Sequence, residues 1–262
     1  MGRETGIAWT EATWNPWRGC QKVSPGCAHC YMYREQERYG QDPKAVVRAG
    51  AETFGAPLKW ARGPRAPRLI FTCSWSDFFI EEADAWRPDA WKIIRDTPTL
   101  TYQILTKRPE RISACLPPDW GRGYQNVWLG VSGETIALAE KRGEILGDTP
   151  SFNLTFLSAE PWLEPPVTNR ATSTYVCYEN ALRHFDWVIL GGESGPCARP
   201  LSITSARLVL DTCQELSIPF FLKQLGGWPD ARSHEEATLD GRTWTQMPWH
   251  WLAHETAPGG SQ

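Results

Sequence analysis

Short apolar runs alternate with helical stretches through the middle of this chain, and that alternation most restricts the folds open to it. The runs are Arg68–Cys73, Thr101–Thr106, Asn126–Val131, Asn153–Leu157, Asp186–Leu190 and Ile218–Leu222. Between them lie helical patterns: residues 86–96 with Pro88 in the first turn, a stretch ending near Gly147, and one with Ala206, Val209, Leu210, Cys213 and Leu216 in a single stripe, capped by Ser202 or Thr204. A strand that must re-enter a sheet after a helix does so in parallel, and parallel strands covered on both faces are apolar nearly throughout.

Six such strands, with one more available from the N-terminal region, predict an α/β fold, a partial (β/α) TIM-like barrel. Nearly every run is followed by a polar residue at its C-terminal end: Asp77, Lys107 with Arg108, Glu134, Glu160, Glu193 and Lys223. In a barrel these ends converge on one face, where a site is assembled from the βα loops; in an open sheet they spread along an edge. Residues 163–185, with Pro165-Pro166 and a Thr/Ser-rich stretch, read as an excursion from the barrel. The domain reading is a barrel over 1–225 and a C-terminal cap and tail over 226–262. The cap carries a hairpin at Asp240-Gly241, and Trp228, Trp244, Trp249 and Trp251 close over the barrel; the last residues, 258–262, are expected to fray.

The 262 residues suffice for a large buried core, and the net charge of -3 excludes a strongly basic nucleic-acid sleeve while leaving room for a local basic groove. Residues 1–10 hold no apolar signal core, and no run approaches 18 apolar residues, so a cytoplasmic location without a membrane span is expected. Cysteines are then reduced, and eight of them call for metal binding, catalysis or burial rather than disulfides.

Three of the eight, Cys20, Cys27 and Cys30, fall in one loop spaced C-x6-C-x2-C, with Ser24-Pro25-Gly26 as turn chemistry that folds the loop back. A structural zinc site needs four ligands, and only a distant histidine would complete one here. Three cysteines suit an iron–sulfur cubane better, with one iron left open for a cofactor. The other five cysteines, Cys73 and Cys213 among them, read as packing. Of the 15 tryptophans, Trp9, Trp14 and Trp17 are expected to crowd the metal loop.

Several stretches together resemble a known family: Ile7–Pro16, the three-cysteine loop with Tyr31, Leu105–Pro109, Val127–Ser132, Ser158–Pro161, Asp186–Gly195 with Ala198-Arg199-Pro200, Phe220–Gln224, and Leu239–Arg242 with Trp244. The chain looks like the phage-encoded three-Cys-motif proteins, a family of unknown function related to radical S-adenosylmethionine enzymes. The resemblance implies a radical-SAM type barrel and a [4Fe-4S] cluster on Cys20, Cys27 and Cys30. It also implies S-adenosylmethionine as cofactor, a reductant for the cluster, and a three-Cys-motif partner protein. The loop departs from the usual C-x3-C-x2-C spacing by three residues before Cys27, and has His29 where an aromatic is common.

On that reading Glu134, Glu160 and Glu193 are candidates for the cofactor's amino group or ribose, and Gly191-Gly192 for close backbone approach. Ser132, Ser194 and Arg199 complete the cofactor-binding candidates. Lys107, Arg108, Glu160 and Lys223 are the catalytic candidates, the cations holding a carboxylate or phosphate. The competing expectation for all of these is ion pairing across a barrel mouth. Lys59, Arg62, Arg65 and Arg68 recur every third residue, which on a polyproline helix would form a cationic stripe able to track a nucleic-acid backbone; a solvated loop entering a strand is the preferred reading of the two. The functional expectation is an iron–sulfur, radical-SAM-like enzyme acting on a nucleobase or nucleic acid. The alternative is a non-catalytic nucleic-acid-binding or accessory protein whose cysteines hold zinc or an inert cluster.

Overall fold

The structure is a computed structural model and describes residues 5–150, 153–167, 172–231 and 236–248. Seven parallel strands form one curled sheet, a half-barrel. They are β1 (Ala12–Trp14), β4 (Leu69–Thr72), β5 (Thr101–Thr106), β6 (Val127–Ser132), β7 (Leu154–Ala159), β8 (Trp187–Gly191) and β9 (Phe220–Gln224), and they pair in that order. Two further short strands, β2 (Trp17–Arg18) and β3 (Val47–Arg48), form an antiparallel pair beside the β1 edge. The register is regular from β4 to β7, with Ile104 opposite Leu129 and Gly130 opposite Phe156.

Alternate residues of each strand face opposite sides, so one apolar run supplies two cores. Ile70, Tyr102, Ile104, Leu129, Leu157 and Leu190 face the helices on the convex side. That layer contains α4 (Arg87–Asp96), α6 (Ile136–Gly147), α7 (Thr172–Leu182) and α8 (Ile203–Glu215). Pro88 sits in the first turn of α4, where its missing N–H costs nothing. Ser202 caps α8, accepting from the Ser205 N–H at 3.2 Å, and the expected stripe of Ala206, Val209, Leu210 and Cys213 is buried. Within the stretch 163–185, α7 is no excursion: it packs between α6 and α8 as an ordinary crossover helix.

The concave side explains part of the tryptophan count. An open half-barrel leaves its inner face without a partner, and Leu69, Phe71, Trp128, Phe156, Trp187, Ile189 and Phe221 occupy it. The N-terminal Ile7–Trp9 segment lies into this hollow. Trp9 meets Phe71 at a ring-centroid distance of 4.7 Å and Trp187 at 6.3 Å. Such pairs contribute about 0.5–1.5 kcal/mol each beyond their burial. Trp9 therefore plugs the hollow, while Trp14 and Trp17 belong to the convex core, their indole N–H groups donating to Phe54 O and Asp77 O.

The C-terminal segment differs in place from the expected lid. The Asp240-Gly241 turn forms, both residues at positive φ, and Leu239 pairs with Arg242 across it. The chain then runs antiparallel along β9, with Thr245 opposite Phe221 and the Leu222 N–H donating to Trp244 O at 2.7 Å. Trp187 Nε1 donates to Gln246 O at 2.9 Å, near the N-terminal ends of the strands. The segment seals an edge and the floor, and Trp228 is left exposed. Trp249, Trp251 and the 258–262 tail lie outside the described residues. The cationic stripe does not form either. Pro57 starts α3 (Ala56–Trp60), which places Lys59 and Trp60 on a helix, with Lys59 paired to Glu52 at 3.2 Å. Among the described residues no helix is long and apolar enough to cross a membrane.

Candidate functional site

The cysteine loop leaves the C-terminal end of β1 by way of β2. Gly19, at φ 87°, makes the turn against the Ala45 carbonyl, where a side chain would collide. Cys20 follows, a 3₁₀ turn spans Pro25–Cys27, and Cys30 caps α1 (Tyr31–Arg38). This path lays the loop over the C-terminal mouth of the half-barrel.

A cavity of about 410 Å³ opens there. Cys20, Cys27 and Cys30 line it with Lys107, Arg108, Ser132, Glu160, Gly192, Glu193, Ser194 and Lys223. Trp9, Phe71 and Leu105 form its apolar floor. The convergence expected of strand ends in a barrel is therefore present. Among the described residues, no group of three or more His, Cys, Asp or Glu side chains stands close enough together to hold a metal ion. The three thiols all line the cavity without being drawn into a finished ligand set.

Most of the rim charges are engaged with the loop itself. Glu134, fully buried, lies outside the cavity lining. It pairs with Arg142 at 2.8 Å and Lys107 at 3.2 Å and accepts from the Ser24 hydroxyl. Burial alone would raise its carboxyl, yet Lys107 and Arg142, helped by Ser24, hold it below its ordinary value. Glu193 accepts from Arg199 Nη2 at 2.6 Å, Arg199 Nε at 2.9 Å and the Arg199 backbone N–H at 2.9 Å, and His29 Nδ1 lies 2.9 Å away. These contacts outweigh its burial and bring its carboxyl down to about 2. Arg199 also donates to Pro25 O at 3.0 Å.

Arg108, nearly buried, pairs with Asp77 at 3.0 Å and donates to Gln21 O at 2.8 Å; its Nη1 lies 3.8 Å from Cys20 Sγ. Burial, with Asp77 adding to it against Arg108, pushes the Cys20 thiol up to about 12. Glu134, Arg199 and Arg108 thus hold protein groups, and the ion-pairing expectation describes them.

The remaining candidates separate further. Gly191 gives room to Glu160, whose Oε1 would lie 2.6 Å from a β-carbon at that position. Gly192 gives room to the Leu225 carbonyl. Both glycines give this room to protein atoms, and Gly192 also lines the cavity. Glu160 and Lys223 face each other at 2.9 Å, and Ser158 donates to Glu160 at 3.3 Å. This pair belongs to the polar lining of the cavity together with Lys107, Ser132 and Ser158 and with Asp77, Arg108, His29 and Glu193. Lys107 and Arg142 both meet Glu134, so that trio holds one positive charge more than negative.

Three residues named from the sequence but not counted among the catalytic, cofactor or metal candidates take part. Asp77 gathers Thr106 Oγ1 at 2.7 Å and the N–H groups of Phe79 and Lys107 at 2.9 Å, besides Arg108. His29 ties the loop to Glu193. Cys73, read as packing, lines the cavity from the end of β4 at φ 64°, and burial raises its thiol well above the ordinary range. Its place just after a strand, on the mouth side, was the available signal.

A family model matches residues 4–248. The chain belongs to DUF5131, a family of proteins of unknown function. No curated protein and no solved structure matches it. The matched span covers the half-barrel, the cysteine loop and the edge segment together, so loop and barrel are one family unit.

Proposed function

We propose that this chain is a cytoplasmic iron–sulfur enzyme of the radical S-adenosylmethionine type, related to the phage three-Cys-motif proteins and acting on a nucleobase, nucleotide or nucleic acid. The observation that carries this reading is that Cys20, Cys27 and Cys30 all line a 410 Å³ cavity at the mouth of a parallel half-barrel. Three sulfur donors are the number that a cubane with one open iron takes, and the loop would have to draw them closer together to hold it. When bound, a [4Fe-4S] cluster would supply the electron that cleaves S-adenosylmethionine reductively.

The chain's own residues do the rest. Trp9, Phe71 and Leu105 keep water from the floor and offer a planar apolar surface to a ring. Glu160 and Lys223, an acid and an ammonium 2.9 Å apart, present the two charges that a zwitterionic amino-acid group requires. Lys107, the one member of the Lys107–Arg142–Glu134 trio that lines the cavity, offers a cation to an anionic group such as a phosphate. A reductant and a three-Cys-motif partner protein belong to this proposal.

One observation favours the alternative. Cys73 adds a fourth thiol to the cavity, and four thiolates can close a tetrahedral zinc site in an accessory or nucleic-acid-binding protein. Anaerobic purification with iron, sulfide and zinc analysis decides. A brown protein with about four irons per chain, lost in Cys27→Ala, is expected. Colourless protein with one zinc per chain would overturn the enzyme reading.

A further inference from the structure

Two of the rim carboxylates, Glu134 and Glu193, contact the cysteine loop, one on each side of Cys27. On one side of Cys27, Ser24 donates to Glu134, and Gly26 packs against the same carboxylate with no space for a β-carbon. On the other side, His29 Nδ1 lies 2.9 Å from Glu193. The Arg199 that neutralises Glu193 reaches Pro25 O at 3.0 Å. The two acids stand just past the ends of β6 and β8.

We infer that Glu134 and Glu193 are positioning residues, two latches that fix the Cys27 turn against the barrel mouth before any metal arrives. The inference deepens the proposed function, since it assigns who places the central thiol of the set, but the latch itself exists in the chain alone. A turn held on one side by a serine hydroxyl on a fully buried carboxylate and on the other by half-buried His29 against Glu193 opens rarely, and a thiol within it reacts faster the more often it opens. Losing a hydrogen bond to a charged group releases the turn more often. Glu134 and Ser24 form the latch most easily cut, because the serine hydroxyl is removed without disturbing Arg142 or Lys107.

The test is alkylation of the full chain, freed of metal by a chelator under reducing conditions, with iodoacetamide and peptide mapping of each cysteine. In Ser24→Ala and Glu134→Gln, Cys27 is expected to react at least about tenfold faster than in the parent chain. Ser24→Thr, which keeps the hydroxyl, is expected to restore the slow rate. Cys213, buried on α8 far from the loop in sequence, reports global opening and is expected to stay unreactive in Ser24→Ala. An unchanged Cys27 rate in Ser24→Ala would overturn the latch. A parallel rise at Cys213 would do so equally, by making the hydroxyl a support of the whole fold. The measurement is made without metal, so a chain that keeps the latch yet assembles no cluster overturns only the enzyme reading.

Discussion

A β-carbon at Gly26 would stand 2.5 Å from Oε1 of Glu134, so the turn of the cysteine loop and the buried carboxylate touch with no room for a side chain between them. Glu134 cannot swing away, because Arg142 holds it at 2.8 Å and also donates to Ser132 O at 2.6 Å. Gly26→Ala is therefore expected to cost about 1–3 kcal/mol, as overpacking of a locked contact does. A urea unfolding curve checks this. A midpoint equal to that of the parent chain would mean that the loop is not seated on Glu134.

Asp77 and Arg108 form the other buried pair of the mouth, with nearly all of both side chains withdrawn from water. Removing the guanidinium leaves a buried carboxylate with backbone and hydroxyl donors but no counter-charge. Arg108→Ala is expected to cost about 3–5 kcal/mol. Arg95 and Asp119 are as close, at 2.6 Å, but are half exposed, and Arg95→Ala is expected to cost far less than Arg108→Ala. Chemical denaturation of the two variants side by side measures the contrast. Equal losses would refute the assignment of Arg108 as the anchor of the Cys20 side.

The strands were legible because burial on both faces leaves an uninterrupted apolar run, as in Trp187–Gly191, and the mouth was legible from the polar residue after each run. What the sequence concealed are contacts without period. Ser24 and Glu134 are 110 residues apart, and His29 and Glu193 are 164 apart. No spacing rule links such pairs, so rim acids looked free for a ligand when they hold the loop. α7 was hidden by its own composition. Thr172–Leu182 mixes Thr, Ser, Tyr and Asn with few aliphatic residues, and its burial comes from being wedged between α6 and α8 rather than from an apolar stripe. Cys73 was hidden because a single cysteine at a strand end has no partner spacing to mark it.

Glu193 gives a pH prediction with a definite sign. Its carboxyl titrates at about 2 in the folded chain, against an ordinary 4.5, because its hydrogen bonds to Arg199 and His29 outweigh burial. A depressed folded value means that the stabilisation is fully present above pH 4.5 and is lost as pH falls from there toward 2. Glu193→Gln lacks this contribution. The difference in unfolding free energy between the parent chain and the variant should be widest above about pH 5 and shrink steadily on acidification. Urea unfolding at a series of pH values from 7 to 3 reads it directly. A gap that stayed constant, or widened, on acidification would show that Glu193 is not held ionised by these partners.

Cys73 and Cys27 separate the two metal chemistries. Both line the cavity, but Cys73 lies on β4's end, outside the loop that supplies the other three thiols. A cubane on Cys20, Cys27 and Cys30 does not need a fourth thiolate, whereas a closed tetrahedral zinc needs all four. On the proposed reading, Cys73→Ala keeps about four irons per chain and the brown colour, and Cys27→Ala loses both. Ligation would also deprotonate Cys20, whose thiol stands at about 12 in the bare chain, so metal loading should release protons, and chelation should lower thermal stability. Metal analysis of the two variants, with proton release followed during anaerobic reconstitution, tests this. Loss of bound metal in Cys73→Ala to the same extent as in Cys27→Ala would make the centre a four-thiolate site with no open position, and a cofactor could not then reach the metal.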